Sequence, residues 1–220
     1  MTHMNPDAAI LRITSVALAD TPPRRADAAY VFSETADNAR QPLAMAAGLF
    51  GTARVLRICC SGSPPHRPDP NVPESFPGFE TWKSHLIEHG VRANAIYAIP
   101  MPIERWHTGV EAYELVMRAK REGWKTLFAV APPLHLPRCF ANTISVAVRE
   151  KVDVKIYAIN PTMPSPWHET VLHSWGRVTA PRIELVDGER ERMLRRYGNK
   201  YDMADLEDIL NYLARRDGYL

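Results

Sequence analysis

Short apolar runs alternate along the chain with stretches whose apolar residues recur at helical spacing. The runs "ADAAYVFS" (26–33), "ARVLRICCSG" (53–62), "NAIYAIP" (94–100), "KTLFAVAP" (125–132) and "VDVKIYAIN" (152–160) are rich in Val, Ile, Phe and Tyr. They mostly close on polar, Gly or Pro residues, which predicts strands. Several are apolar almost throughout, the pattern of strands buried on both faces. Between them, "GFETWKSHLIEHG" puts Phe79, Trp82 and Leu86 on one helical face with Gly90 to end the helix. "GVEAYELVMRAKREG" does the same with Val110, Tyr113, Val116 and Met117, stopping at Gly123. Parallel strands need crossover connections, so the alternation predicts a three-layer α/β fold with a mainly parallel sheet of about five strands.

From about Arg177 the pattern becomes charged. Leu206, Ile209, Leu210 and Leu213 form one apolar stripe there, with Asp202 as the expected N-cap. The organisation expected is a sheet domain over 1–176 and a charged helical segment over 177–220 packed on it. "ERERMLRR" within that segment reads as a solvated helix face. Proline crowds into "SPPHRPDPNVPESFP" (63–77) and "NPTMPSPW" (160–167), which are predicted loops because proline lacks a backbone donor and restricts its predecessor.

Composition narrows the partners. The 220 residues carry a net charge of +2, too little to argue for nucleic acid or a membrane surface as the main partner. No run approaches the ~18–20 apolar residues of a membrane span, and the first residues lack both a basic region and a long apolar core. Cys59, Cys60 and Cys139 form neither a disulfide framework nor a CxxC site. A soluble protein of the cytoplasm is the expectation, with a small molecule as its ligand.

In open α/β sheets ligands bind beyond the carboxyl ends of the strands, so the residues just after each strand carry the weight. These are "SETADNAR" with Glu34 and Arg40, "SGSPPHR" with Ser61 and Gly62, and "PIERWHTGVE" with His107 and Thr108. "PPLHLPR" with His135 and Arg138 and "NPTMPSPWHETVLHSW" complete the set. One polar loop before a helix has an ordinary explanation, since Ser, Thr, Asp and Asn cap helices. Polar loops gathered at one end of a sheet, leading into helix starts with unsatisfied N–H groups, point to an anion such as a phosphate or carboxylate. His135 could donate to that anion or act as general acid or base, and Arg138 could make a paired contact to it.

Other patterns fail on spacing. "HETVLH" (168–173) places its histidines at i and i+5, about 140° apart on a helix, so no zinc or other metal site is expected. No GxSxG, GxGxxG or GxxxxGK[ST] occurs, which leaves hydrolase-elbow, dinucleotide and P-loop readings without a motif. Cys59 and Cys60 end a buried strand and read as packing residues.

Taken in order, these motifs resemble the YdcF-like family (the SanA/ElyC/YdcF group, a domain of unknown function) over most of the chain. The likeness rests on Arg40 with Ala44, on Ser61–Gly62, on Glu80 in "FETWKSHLIEHGV" and on Thr108 in "HTGVEA". It continues with His135 and Arg138 in "APPLHLPR" and with the ending "ERERMLRRYGNKYDMADLEDILNYLARRD". His107, Val110 and Glu111 replace family residues in an Asn-Thr-x-Glu-Asn segment, and Ala131 and Pro132 replace the hydroxyls of a Thr-Ser-x-x-His-Met-x-Arg motif.

The resemblance implies a Rossmann-like fold, the soluble branch of the family, and S-adenosylmethionine as ligand. The expected function is therefore binding of a small anionic or nucleotide-like ligand, with transfer of a group from S-adenosylmethionine. Arg40, Ser61, Gly62, His107, Thr108 and Arg138 are the expected binding residues, and His135, Glu34 and Glu80 the expected acids or bases. Trp106 and Trp167 are candidates to stack on a base or a sulfonium. Two alternatives stand beside it: a metal-free hydrolase or transferase acting on a phosphorylated or carboxylated metabolite through His135, and a non-catalytic ligand sensor.

Overall fold

The computed structural model describes residues 5–67, 74–102, 107–161, 167–173, 178–195, 198 and 200–220. Its centre is a parallel sheet of five strands, β1 (Ala28–Val31), β2 (Ile58–Ser61), β3 (Ile96–Ile99), β4 (Thr126–Val130) and β5 (Lys155–Ile159). Their order is β3-β2-β1-β4-β5, a Rossmann-like arrangement with helices on both faces. All five strands coincide with the apolar runs read from the sequence.

Period-two alternation divides each strand between two cores. Ala28 and Tyr30 of β1, Cys59 of β2, and Leu127 and Ala129 of β4 face one core, which is completed by α1 (Pro6–Leu18), α4 (Thr108–Glu122), α5 (Leu136–Arg149) and α7 (Leu206–Arg216). Ala29, Val31, Cys60, Phe128 and Val130 face the other, covered by α2 (Ala36–Gly51) and α3 (Phe79–Glu88). Burial pushes the Cys59 thiol up to about 12, so it stays protonated and packs as an apolar group.

The helix stripes behave as their spacing requires. Trp82 and Leu86 are buried beneath α3, and Val110 and Val116 beneath α4. Gly123 ends α4 at φ 70°, a left-handed cap that glycine takes without a Cβ penalty. α1 has no counterpart among the elements read from the sequence; Asn5 caps it by accepting from the Asp7 N–H, and Ile10, Ile13 and Ala17 are buried. Asp205, not Asp202, stands at the N-cap of α7, and Asp202 instead accepts from the Gly198 N–H at 2.7 Å.

The last part of the chain packs on the sheet domain. α7 lies against α1 and α5, with Ile209 and Leu213 buried. Before it, β6 (Thr170–Leu172) and β7 (Thr179–Pro181) form an antiparallel hairpin that leads into α6 (Arg182–Leu194). "HETVLH" is therefore largely strand, and the helical angle between its histidines does not arise. Asn38 on α2 holds the hairpin by donating to the Leu172 carbonyl at 3.0 Å. Among the described residues no helix is long and apolar enough to cross a membrane.

Strand order locates the site. The chain moves outward from β1 through β2 to β3, then returns through α4 to place β4 on the other side of β1. That reversal lies at the carboxyl ends of β1 and β4, the position at which doubly wound sheets bind ligands.

Candidate functional site

Three chain segments meet at this position. Glu34 follows β1, Thr108 is the first residue of α4, and His135 occupies the N-cap position of α5, one turn before Arg138. Residues three apart share a helix face, so His135 and Arg138 present their side chains together. Pro137 fits the first turn because the N–H it lacks would have no intrahelical acceptor.

The four side chains form a buried relay. The Glu34 carboxylate lies against His135 Nδ1, a close contact that is not an aligned hydrogen bond. His135 Nε2 is 3.2 Å from Thr108 Oγ1, and Arg138 Nη1 donates to the same hydroxyl oxygen at 2.5 Å. A carboxylate beside Nδ1 assigns the ring proton to that nitrogen, leaving Nε2 to accept from the Thr108 O–H. One oxygen thus receives a cation on one side and an acid–base nitrogen on the other. Glu34 and His135 are each 2% exposed, so their interaction is little screened by water.

Arg138 is held from behind by α6. Its Nε donates to Glu189 Oε2 at 2.5 Å and its Nη2 to Glu189 Oε1 at 3.3 Å. His173, just beyond β6, lies 3.0 Å from Glu189 Oε1, and Arg192 donates to the same oxygen at 2.7 Å. Burial alone would raise the Glu189 carboxyl, but Arg138, with His173 and His135, overrides it and holds the group well below the usual glutamate range. Burial alone would lower Arg138, and Glu189 reverses that too. The guanidinium is charged.

Glu189 was not singled out in the sequence, and His173 was weighed there only as a zinc ligand in "HETVLH". Glu189 sits in "ERERMLRR", and contrary to a wholly solvated face it is buried in line with Arg182, Leu185 and Met193. That stripe was the available signal: Leu185 and Met193 are eight residues apart, and Glu189 lies midway between them on the same face.

The remaining expected residues divide. His107 caps α4, its Nδ1 accepting from the Gly109 N–H at 3.2 Å, and it lines a cavity beside Arg138. Ser61 is buried at the end of β2 and 3.1 Å from the Ser63 hydroxyl, a local turn contact. Gly62 donates to the Ile99 carbonyl at 2.7 Å, and a Cβ there would stand 3.0 Å from that of Ala98, so glycine is needed for close strand packing. Arg40 is exposed on α2, and Glu80 is exposed on α3 with Lys83 at 3.8 Å, so neither joins the relay. Trp167 is 37% exposed beside the hairpin, and Trp106 lies outside the described residues. Glu111 anchors the edge of the site, accepting from Tyr30 Oη, the Ser33 N–H and Ser33 Oγ at 2.8, 3.0 and 2.9 Å.

Comparison of the chain with protein-family models, curated proteins and solved structures finds no match. The cavity beside Arg138 measures about 30 Å³, whereas a pocket for a drug-sized molecule needs roughly 300 Å³ or more. Among the described residues this cavity gives no room for the nucleoside of S-adenosylmethionine.

Proposed function

We propose that the protein binds a compact anionic metabolite, bearing a phosphate or carboxylate, at the carboxyl ends of β1 and β4. His135 then moves a proton in a hydrolysis or group transfer on that metabolite. The observation that carries this reading is the convergence of His135 Nε2 and Arg138 Nη1 on a single oxygen, with Glu34 behind the imidazole. Proton transfer to or from an oxygen that gains negative charge needs those two groups together: an acid–base nitrogen, and a fixed cation in a site shielded from water. Glu34 orients the ring, so the proton that Nε2 takes from the attacking oxygen can be delivered to the leaving group.

Thermal melting against phosphate monoesters, carboxylated metabolites, S-adenosylmethionine and S-adenosylhomocysteine tests the ligand class. A ligand at 100 times its dissociation constant adds about 2.7 kcal/mol of stability. With a turned-over compound in hand, His135→Gln should retain the melting shift and lose roughly 10²–10⁴-fold in kcat. A variant within threefold of the native rate would remove His135 from the chemistry. A shift given by S-adenosylmethionine alone would replace the compact metabolite with that ligand.

A further inference from the structure

We infer that Thr108 is a catalytic nucleophile, taking the acyl group of an ester of a small carboxylic acid onto its own hydroxyl. The inference rests on the acid–base role proposed for His135 and takes the carboxylate branch of that reading.

Threonine at a helix start ordinarily caps the helix with its hydroxyl. Thr108 does not. The cap of α4 is supplied by His107, whose Nδ1 accepts from the Gly109 N–H at 3.2 Å. The Thr108 hydroxyl turns instead to the start of α5, where it meets His135 Nε2 at 3.2 Å and Arg138 Nη1 at 2.5 Å, 27 and 30 residues further along the chain. Buried hydroxyls within α5 stay local: Thr143 donates to the Cys139 carbonyl at 2.8 Å and Ser145 to the Ala141 carbonyl at 2.7 Å. Satisfying a buried hydroxyl asks no more than that.

Hydroxyl, imidazole and carboxylate stand here in the order of a nucleophile triad. Glu34 lies against Nδ1, so the ring keeps Nε2 toward Thr108 with a lone pair for its proton. Arg138 adds a cation that touches the same oxygen as it loses that proton. Thr108 also stands in the first turn of α4, where the helix dipole favours growing negative charge. All four side chains are buried, so these interactions are little screened.

Charge selects an acyl group over a phosphoryl group. In the network around the hydroxyl, Glu34 and Glu189 already set two carboxylates against Arg138 and Arg192. A dianionic phosphate brought to Thr108 meets four groups that are already in balance. Attack on the neutral carbonyl of an ester creates one negative charge while His135 gains one positive, so the step balances itself. Thr108 stands next to the cavity that His107, Gly109 and Arg138 line. That cavity measures about 30 Å³, space for about two waters, which restricts the acyl group to a small one.

In the first step Thr108 Oγ1 bonds to the ester carbonyl carbon and gives its proton to Nε2. The carbonyl π electrons move to the carbonyl oxygen, within reach of Arg138. When that oxyanion collapses, the bond to the alcohol breaks and the leaving oxygen takes the proton from Nε2. Water then attacks the acyl-threonine, losing a proton to Nε2, and Oγ1 departs with that proton. Ester and water become acid and alcohol, with nothing oxidised or reduced.

The probe is p-nitrophenyl acetate, followed by stopped flow and by mass spectrometry of the acid-quenched protein. The expected result is a nitrophenolate burst stoichiometric with the protein, slower turnover after it, and an acetyl group on Thr108 in the peptide digest. Thr108→Val should lose burst and adduct, with kcat down roughly 10³-fold or more, and Thr108→Ser should restore both. The adduct is read on the native protein, so a variant that fails to fold leaves the test standing. No acetyl on Thr108, or a Thr108→Val rate within about threefold of native, would overturn the nucleophile. If His135→Gln is inactive in that same assay, His135 still moves the proton, but from water. A phosphoryl group placed on Thr108 by p-nitrophenyl phosphate, with no acetyl from the acetate, would overturn the acyl assignment.

Discussion

Two arginines, Arg138 and Arg216, are buried to a similar degree and are charged, yet they end in different kinds of place. Arg216, on α7, sits against β5 with its donors taken up. Its Nη1 and Nη2 donate to the two oxygens of Asp20 at 2.8 and 2.7 Å, Nη1 also to the Ile156 carbonyl at 2.7 Å, and Nε to Asp217 at 2.7 Å. The Tyr157 ring lies 4.4 Å below it. Asp20 in turn accepts from the Ala158 N–H at 2.8 Å, so the cluster pins the C-terminal helix to the sheet edge. Arg138 is also paired with a carboxylate, but it shares a hydroxyl with His135 and faces a cavity. Burial of an ion pair does not mark a functional site; what separates the two is whether the charge is enclosed by partners or turned toward space.

The largest effect that would break this contrast is structural. Asp20→Ala leaves Arg216 with Asp217 as its carboxylate partner and should cost roughly 3 kcal/mol, the low end for a broken buried pair, read as a lower urea midpoint, with anion affinity unchanged. Glu189→Gln keeps the side-chain volume and should cost less, about 1–3 kcal/mol, because the amide retains part of the hydrogen bonding. It should also tighten binding of a compact anion several-fold, since the carboxylate bound to both Arg138 and Arg192 is gone. If both variants altered anion affinity equally, the distinction between an enclosed and an open arginine would fail.

The sheet was legible because buried parallel strands leave near-continuous apolar runs, as "KTLFAVAP" does for β4. His135 and Arg138 were legible for a related reason: they stand just past such a run, where the fold puts ligands. α1 was missed although its buried positions Ile10, Ile13 and Ala17 recur at helical spacing, since the exposed Leu11 blurs the stripe. The hairpin of β6 and β7 has strands of three residues each, too short for alternation to declare itself. Glu189 was hidden by its company: a buried carboxylate between Arg190 and Glu191 on one side and Gly188 on the other has the local composition of a solvated helix. The stripe with Leu185 and Met193 puts it on the buried face, and the tertiary pairing with Arg138, 51 residues earlier, shows what it does there. Arg40 and Glu80 show the converse. Arg40 follows β1, yet a strand-proximal position fixes only where a helix begins and not which face of it points to the site, and Glu80 rested on the family resemblance alone.

The smallest effect concerns pH and sharpens the role of Glu189. Arg138 and its neighbours hold this carboxyl well below its ordinary glutamate value of 4.5. A group depressed in the folded state binds protons more readily in the unfolded chain, so stability falls as pH falls. Its contribution is complete above the ordinary value, declines below it, and is lost as pH drops through the folded value. Glu189→Gln has no such proton to take up. The stability gap between native protein and variant, measured by urea unfolding, should therefore stay constant from about pH 7 to 5 and narrow only in more acidic solution. A gap that already closed above pH 5 would mean that Arg138 does not hold the carboxylate, and that the cation is committed instead to the hydroxyl and the cavity it faces.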